Sequence, residues 1–235
     1  MVSCKVYKII PDSVEFFYKL IEKCKNENMI SFEIEDEKFK ILLKEKEDNN
    51  YGKIFDCILE YPETVIDAAT NRPVIYYSNI KFLIQLYSKN KIENLISVFT
   101  SSYKSSIFYA IVNSWGKLFH KKKILSNVDF DLTSGESKLK EAYDEIIGFK
   151  MNGINDIYVH IADLYGRNIQ ESSEFEKYKK SHGQFKSIII KLGNYLITLT
   201  SYGLIYTSRN LNEEESIKTV NDIIRKLVDF QILIT

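Results

Sequence analysis

Basic and aromatic side chains alternate in one stretch of the C-terminal half, and this combination suits contact with nucleic acid. The stretch contains Lys177, Tyr178, Lys179, Lys180, His182, Phe185 and Lys186. Lysines neutralise backbone phosphates, while aromatic rings stack on bases of any sequence. Glu174 and Glu176 precede the stretch and reduce its positive field. The alternative is a solvated helix end and turn, which would have the same composition.

His160 and Asp163 are the residues whose types suit acid–base chemistry. They lie at the end of the segment 157–161, which is predicted to be a strand, and a histidine beside a carboxylate can transfer protons. Residues three apart on a strand point to opposite faces, so the pair requires a bend. A histidine with a single structural hydrogen bond is the alternative. With the pair formed, the chain would be a metal-dependent hydrolase or nuclease that uses His160 and nearby acidic residues.

Three acidic residues lie close together between the two halves of the chain. Asp129, Asp131 and Glu136 carry carboxylate oxygens of the kind that divalent metals bind. The segment lacks the glycine-bearing spacing of a calcium loop, and Glu136 fits a helix-capping role after Thr133. The sequence contains no glycine-rich phosphate loop, nucleophile elbow or HExxH motif. It therefore favours a protein without a metal site, a cofactor or catalytic activity.

The composition limits the partners and the compartment. The 235 residues include 32 Lys+Arg and 32 Asp+Glu, so the formal net charge is zero and the whole chain does not attract a polyanion. Four arginines leave little for bidentate recognition of guanine. Three scattered cysteines, Cys4, Cys24 and Cys57, suit a reducing compartment. With no apolar run near the ~20 residues of a membrane span and no signal-peptide pattern, we expect a cytoplasmic protein without a membrane partner.

In the first half, the spacing of apolar residues predicts strands and helices in a mixed order. Residues 2–10 are predicted to form a strand, and Pro11–Ser13 to begin a helix through a capping box of Asp12 and Glu15. Further strands are predicted over 30–34, 39–43, 54–59, 74–77 and 82–87, the last two forming a hairpin with its turn at Ser78 and Asn79. Helices are predicted over 91–99 and 105–119.

A polar segment over 120–135 predicts a boundary between two domains, 1–126 and 127–235. A helix is predicted next, with a capping box of Thr133 and Glu136 and an apolar face of Leu139, Ala142, Tyr143, Ile146 and Ile147. The polar stretch 172–180 is predicted to be helical. Strands are predicted over 185–191, 195–201 and 203–208, followed by a long helix with Asn212 as its N-cap and three glutamates in its first turn.

The order of elements between residues 185 and 228 is strand, strand, a tight turn that ends in glycine, strand, polar loop and long helix. Its sequence TLTSYGLIYTSRNLNEEES has Ser201, Gly203 and Ser208 ahead of the helix at Asn212. This order resembles one repeat of the TATA-box-binding-protein-like fold. The chain departs from the family at Leu204, where a basic residue is usual, and it has no clear counterpart of the phenylalanines that wedge between bases. The resemblance implies a sheet whose open face could bind nucleic acid.

Together these patterns predict an α+β protein of two small lobes, each an antiparallel sheet with helices packed on one face. On the last strand, Leu204 and Tyr206 share the face opposite Ile205, so Tyr206 could stack on a base or contact a partner protein. We predict a non-catalytic binding or adaptor protein that acts on a macromolecular partner, either protein or nucleic acid. An exposed sheet edge would also be compatible with a homo-oligomer.

Overall fold

The structure is a computed structural model that describes residues 2–27, 29–34, 36–88, 92–143, 145–156, 158–208 and 211–234. Its internal contacts divide the chain into two compact units. One unit is Tyr7–Ser126, and the other is Asn127–Thr235 together with Met1–Val6. Helices and a large antiparallel sheet make up the fold, so the predicted α+β class is confirmed. Among the described residues, no helix has the length and apolar character needed to cross a membrane.

The unit Tyr7–Ser126 is a meander of long strands between two helices. Its elements are the second half of β1 (Val2–Ile9), a 3-10 turn (Pro11–Ser13), α1 (Val14–Glu27), β2 (Ile30–Ile34), β3 (Glu37–Asn49), β4 (Gly52–Ile66), β5 (Pro73–Tyr87), β6 (Leu95–Phe99), α2 (Ser102–His120) and most of β7 (Leu125–Asn127). The strand order is β1-β6-β5-β4-β3-β2, and β7 also pairs with β1. The core joins Phe17 of α1, Phe55 of β4 and both Phe108 and Trp115 of α2.

The unit that contains Asn127–Thr235 is built from antiparallel strands and three helices. Its elements are β8 (Asp129–Phe130), α3 (Leu132–Ala142), β9 (Glu145–Asn152), β10 (Ile161–Tyr165), a 3-10 turn (Ile169–Glu171), α4 (Ser173–Lys180), β11 (Gln184–Leu192), β12 (Tyr195–Thr200), β13 (Leu204–Thr207), α5 (Glu213–Asp229) and β14 (Leu233–Ile234). The strand order is β10-β9-β11-β12-β13-β1, with the first half of β1 at the end, while β14 pairs with β8. Three rings, Phe149, Phe175 and Phe185, join β9, α4 and β11 in the core.

Elements with strong local signals lie where the sequence predicts them. The backbone N–H of Glu215 donates to the Asn212 side chain over 2.8 Å, and the Glu215 carboxylate accepts from the Asn212 N–H over 3.1 Å, which completes a capping box at the start of α5. The helices α2 and α4 and the strands β11, β12 and β13 are also confirmed, each within a few residues of its predicted ends.

Two predictions in the first half are wrong. Residues 95–99 form β6 instead of part of a helix, and residue 91, where that helix was expected to begin, lies outside the described residues. All five residues of β6 are buried, so the run shows no alternation, and periodicity alone does not separate a buried strand from a helix. The expected turn at Ser78 and Asn79 is absent from the described β5, which runs unbroken over 15 residues and pairs along its whole length with β4.

Three further predictions about helix ends and extents are corrected. A 3-10 turn leads directly into α1, so the expected capping box of Asp12 and Glu15 is wrong. The N-cap of α3 is Asp131, whose carboxylate accepts from the Ser134 N–H over 3.0 Å, so the expected box at Thr133 is wrong as well. The same helix ends at Ala142, and the apolar residues 146 and 147 continue in β9 because β11 provides a partner for residue 146; residue 147 lies at a shift in the register of the two strands.

Candidate functional site

Two of the three lysines of α4 are held in ion pairs within their own unit. Lys177 lies 3.2 Å from the carboxylate of Asp156, and Lys179 lies 2.9 Å from that of Glu136. The backbone N–H of Tyr158 and the ammonium of Lys177 both lower the pKa of Asp156, so this carboxylate is ionised at neutral pH. The two pairs cancel much of the positive charge from which the sequence predicts a phosphate-binding surface.

The remaining predicted residues lie in different places. Lys180 is exposed at the end of α4, and His182 follows it in a turn with a positive φ of 61°. Tyr178 contacts the ammonium of Lys177, which lies 5.4 Å from its ring centroid. Lys186 lies over the ring of Tyr202 at the same distance, 5.4 Å. Tyr206 is on β13, where it pairs with Thr198 of β12 and Ser3 of β1.

Lys186 and Tyr202 border a cleft of about 510 Å³ in the C-terminal unit. The cleft is also lined by Asp129 and by Asp131, which caps α3. Lysine and an exposed tyrosine suit a phosphate and a base, but the two carboxylates oppose an anion at the same opening. The cleft therefore combines charges of both signs and has no clear preference for a polyanion.

Tyr206 belongs to a row of residues that crosses the whole sheet of this unit. Directly paired residues on antiparallel strands share a face, so the pairings between strands define the row. In order from β10 to β1, it consists of Tyr165, Gly148, Ile189, Thr198, Tyr206 and Ser3. It lies on the face opposite the buried residues Ile188, Ile190, Ile197 and Ile205. The row contains no charged residue.

Charged side chains on the same face include two neutral pairs at its β9 and β10 end and, on β1, Lys5, whose ammonium donates to the Tyr202 carbonyl. Lys150 of β9 lies 3.7 Å from the carboxylate of Asp163 on β10. Lys191 of β11 lies 3.7 Å from the carboxylate of Glu145 on β9, and its neighbour in the register is Leu196, which is 45% exposed. The six paired residues from Tyr165 to Ser3 therefore form an uncharged band of aromatic, aliphatic and hydroxyl groups, which we call the open-face row.

Gly148 allows the ring of Tyr165 to lie across the open-face row. A Cβ atom at residue 148 would lie 2.9 Å from the Tyr165 ring and 3.1 Å from the Ile189 side chain, closer than such atoms normally approach. An aromatic ring that covers a glycine on a neighbouring strand replaces the packing that the missing side chain would supply. Tyr165 is still 65% exposed, so most of its ring remains accessible to a partner.

The residues proposed for acid–base or metal chemistry do not assemble into a centre. His160 is exposed and precedes β10, which begins at Ile161, so residues 158–160 of the strand expected over 157–161 are not in a strand. Asp163 pairs with Lys150, and no hydrogen bond or ion pair between described residues joins it to His160. Among the described residues there is also no group of three or more His, Cys, Asp or Glu side chains that could hold a metal.

Of the residues in the open-face row, the sequence analysis selects Tyr206 and does not select Tyr165, Ile189 or Gly148. The prediction that Tyr206 and Leu204 share a face opposite Ile205 is confirmed, since Ile205 is buried and its two neighbours are not. Tyr165 is in the segment from which only His160 and Asp163 were singled out. Its place in the row depends on the pairing of β10 with β9, and no local pattern specifies that register.

No protein-family model matches this chain, and no match was found among curated proteins.

Proposed function

We propose that this chain is a non-catalytic binding protein whose C-terminal unit docks a partner protein on the open face of its sheet. The observation that carries the proposal is the open-face row, an uncharged band with Tyr165 at one end and Tyr206 beside Ser3 at the other. Tyrosine is favoured at protein interfaces because it buries a large apolar ring and retains a polar tip. The exposed Leu196 beside the row extends the apolar area.

The charges favour a protein over a nucleic acid. Binding to nucleic acid draws its affinity from cations that neutralise phosphates. On this unit Lys177, Lys179, Lys150 and Lys191 are each engaged by a carboxylate. The resemblance of 185–228 to the TATA-box-binding-protein-like fold remains a prediction. It implies binding at the same open face, but with nucleic acid as the partner.

A reducing, cytoplasmic compartment remains part of the proposal. Cys4, Cys24 and Cys57 are buried free thiols. Free thiols are usual where glutathione and thioredoxin keep cysteines reduced. Burial raises the pKa of Cys24 to about 11, so this thiol is protonated and unreactive at neutral pH.

Site-specific photo-cross-linking tests the docking face. A benzophenone amino acid replaces Tyr165, and in the control it replaces Tyr158, which is 89% exposed in the same unit but lies outside the sheet. In an extract of the source cells at physiological salt, we expect the cross-linker at residue 165 to form discrete covalent adducts with a protein. The cross-linker at residue 158 should not form the same adducts. Excess unlabelled wild-type chain should suppress the adducts, whereas a Tyr206→Lys chain should not. Equal adducts at both positions, or equal suppression by both competitors, would contradict the proposal.

Fluorescence anisotropy tests the nucleic-acid alternative directly. Labelled single- and double-stranded oligonucleotides of mixed sequence are titrated with the chain at low salt, and we expect no binding at tens of micromolar protein. Binding that weakens with salt by a log–log slope of ~0.7–0.9 per phosphate contact would favour nucleic acid instead. In that case Lys180→Gln with Lys186→Gln should lower the affinity for all sequences, because these lysines are the cations of the predicted stretch without a carboxylate partner among the described residues.

A further inference from the structure

The hairpin of β4 and β5 extends beyond the rest of the sheet in the unit Tyr7–Ser126. The pairing of β3 with β4 reaches Glu60 and goes no further, and the pairing of β6 with β5 ends at Leu83. Between residues 61–66 and 73–78, the two strands are paired with each other and with no other described strand. We call this segment, residues 61–78 with its turn, the β-arm.

Hydrogen bonds at both ends hold the β-arm in one conformation. At the tip, the Asp67 carboxylate accepts from the backbone N–H groups of Ala69 and Thr70, over 2.9 and 2.7 Å. At the base, the Glu63 carboxylate accepts from the hydroxyl groups of Tyr61 and Ser78, over 2.8 and 2.5 Å. The hydroxyl of Ser78 and then that of Tyr61 lower the pKa of Glu63, so the carboxylate stays ionised in these bonds.

The β-arm exposes large apolar side chains on both of its faces. Val65, Ile66, Ile75, Tyr76 and Tyr77 are between 48% and 58% exposed. A two-stranded ribbon cannot bury both of its faces by itself, and such a ribbon is at best marginally stable when isolated. A concentration of exposed apolar residues of this kind marks an interaction surface.

The outer edge of β5 in the β-arm lacks the features that protect sheet edges. Every second residue of a strand directs its N–H and C=O away from its partner strand, and here no described strand receives them. Natural edges carry lysines, prolines or bulges that prevent pairing with another chain. From Val74 to Ile80 this edge has no charged residue, no proline and no irregularity in its register with β4.

We propose that a second copy of this chain pairs with this edge, so that two β-arms form a four-stranded antiparallel sheet about a two-fold axis near Tyr76. An uncharged edge pairs with itself without opposing like charges. In that register Ile75 faces the partner subunit's Tyr77, an aliphatic–aromatic pair of the kind that stabilises sheets. The edge of β4 is less suited to this, since Pro62 has no N–H to donate and Glu63 is charged.

The oligomeric state tests the proposal. We expect a species of twice the monomer mass in analytical ultracentrifugation at about 100 μM wild-type chain, with Tyr76→Lys raising the dimer dissociation constant by at least about tenfold, because two lysines would face each other at the axis. Val65→Lys introduces the same charge on the same β-arm but on β4, and should change the constant little. Circular dichroism checks that both variants fold. A monomer at this concentration, or equal effects of the two substitutions, would overturn the proposal.

Cysteine cross-linking tests the register independently. Opposed residues of antiparallel strands have Cα atoms about 4.5–5.5 Å apart, within the range that a disulfide spans. Tyr76→Cys should form a covalent dimer on mild oxidation, whereas Thr64→Cys on β4 should not. The native cysteines are buried and do not compete. No covalent dimer from Tyr76→Cys would refute this pairing. Both experiments concern the unit Tyr7–Ser126, so their outcomes do not depend on whether the C-terminal unit docks a partner protein.

Discussion

Replacing Asn113 by leucine should remove the main polar link between α2 and the segment that follows it. Asn113 lies within α2 and is 6% exposed. Its side-chain oxygen accepts from the backbone N–H groups of Ile124 and Leu125, over 2.8 and 2.7 Å, and its amide donates to the Leu125 carbonyl over 3.1 Å. Leucine has a similar shape but can make none of these bonds.

The size of the effect follows from the groups left without partners. Ile124 and Leu125 are both fully buried, so water cannot replace the lost bonds without the segment opening. Each buried polar group left unpaired costs about 1–3 kcal/mol, so two N–H groups and one carbonyl give a destabilisation of at least about 3 kcal/mol. This is a large part of the about 5–15 kcal/mol that stabilises a typical domain.

Urea unfolding followed by tryptophan fluorescence measures this loss. Trp115 is the only tryptophan, lies in the same helix and is 3% exposed, so it reports on this unit. Asn26→Leu, at the exposed end of α1, is the matched control and should change stability by no more than about 0.5 kcal/mol. If the Asn113→Leu midpoint were the same as that of the control, the hydrogen bonds would not hold the segment as described.

Three further substitutions test other parts of the structure. Gly203→Ala should destabilise the C-terminal unit by roughly 1–3 kcal/mol, because φ is +71° there and a Cβ would lie 2.2 Å from the Val128 carbonyl oxygen; an unchanged thermal midpoint would contradict this. Ile224→Asp buries an unpaired charge in α5 and should abolish the native circular dichroism of that unit, whereas a native spectrum and midpoint would refute the packing of that helix. Partial burial and then the charge of Lys19 lower the pKa of His120 in the folded chain. The unfolded chain therefore binds the proton more tightly than the folded chain does, and the free energy of unfolding should decrease as the pH drops below about 6.5. His120→Gln should flatten that part of the urea midpoint against pH, and an unchanged slope would exclude His120 as its source.

The sequence alone predicts those elements whose ends and faces depend on residues only a few positions apart in the chain. The N-cap at Asn212 depends on a carboxylate three residues later, and the apolar face of α5 depends on helical spacing. The alternation that exposes Tyr206 opposite Ile205 is equally local. In these cases the residues that interact are within one or two turns of each other, so the sequence contains the whole arrangement.

The remaining features of the fold depend on pairing between strands that are far apart in the sequence. β6 was mistaken for a helix because its burial on both faces removes the alternation, and β5 continues through Ser78 because β4 provides a partner at every residue. The first residues of the chain join the C-terminal unit through the register of β1 with β13.

The open-face row has the same origin, since it exists only where six strands are in register. The carboxylate of Glu136, 43 residues away in the sequence, accepts a hydrogen bond from Lys179 and neutralises one of the positive charges from which the sequence predicts a phosphate-binding stretch. The types of the residues follow from the sequence, but which of them meet depends on strand register and ion pairing across the fold. These form only when the chain has already closed long loops, so no short window of sequence specifies them.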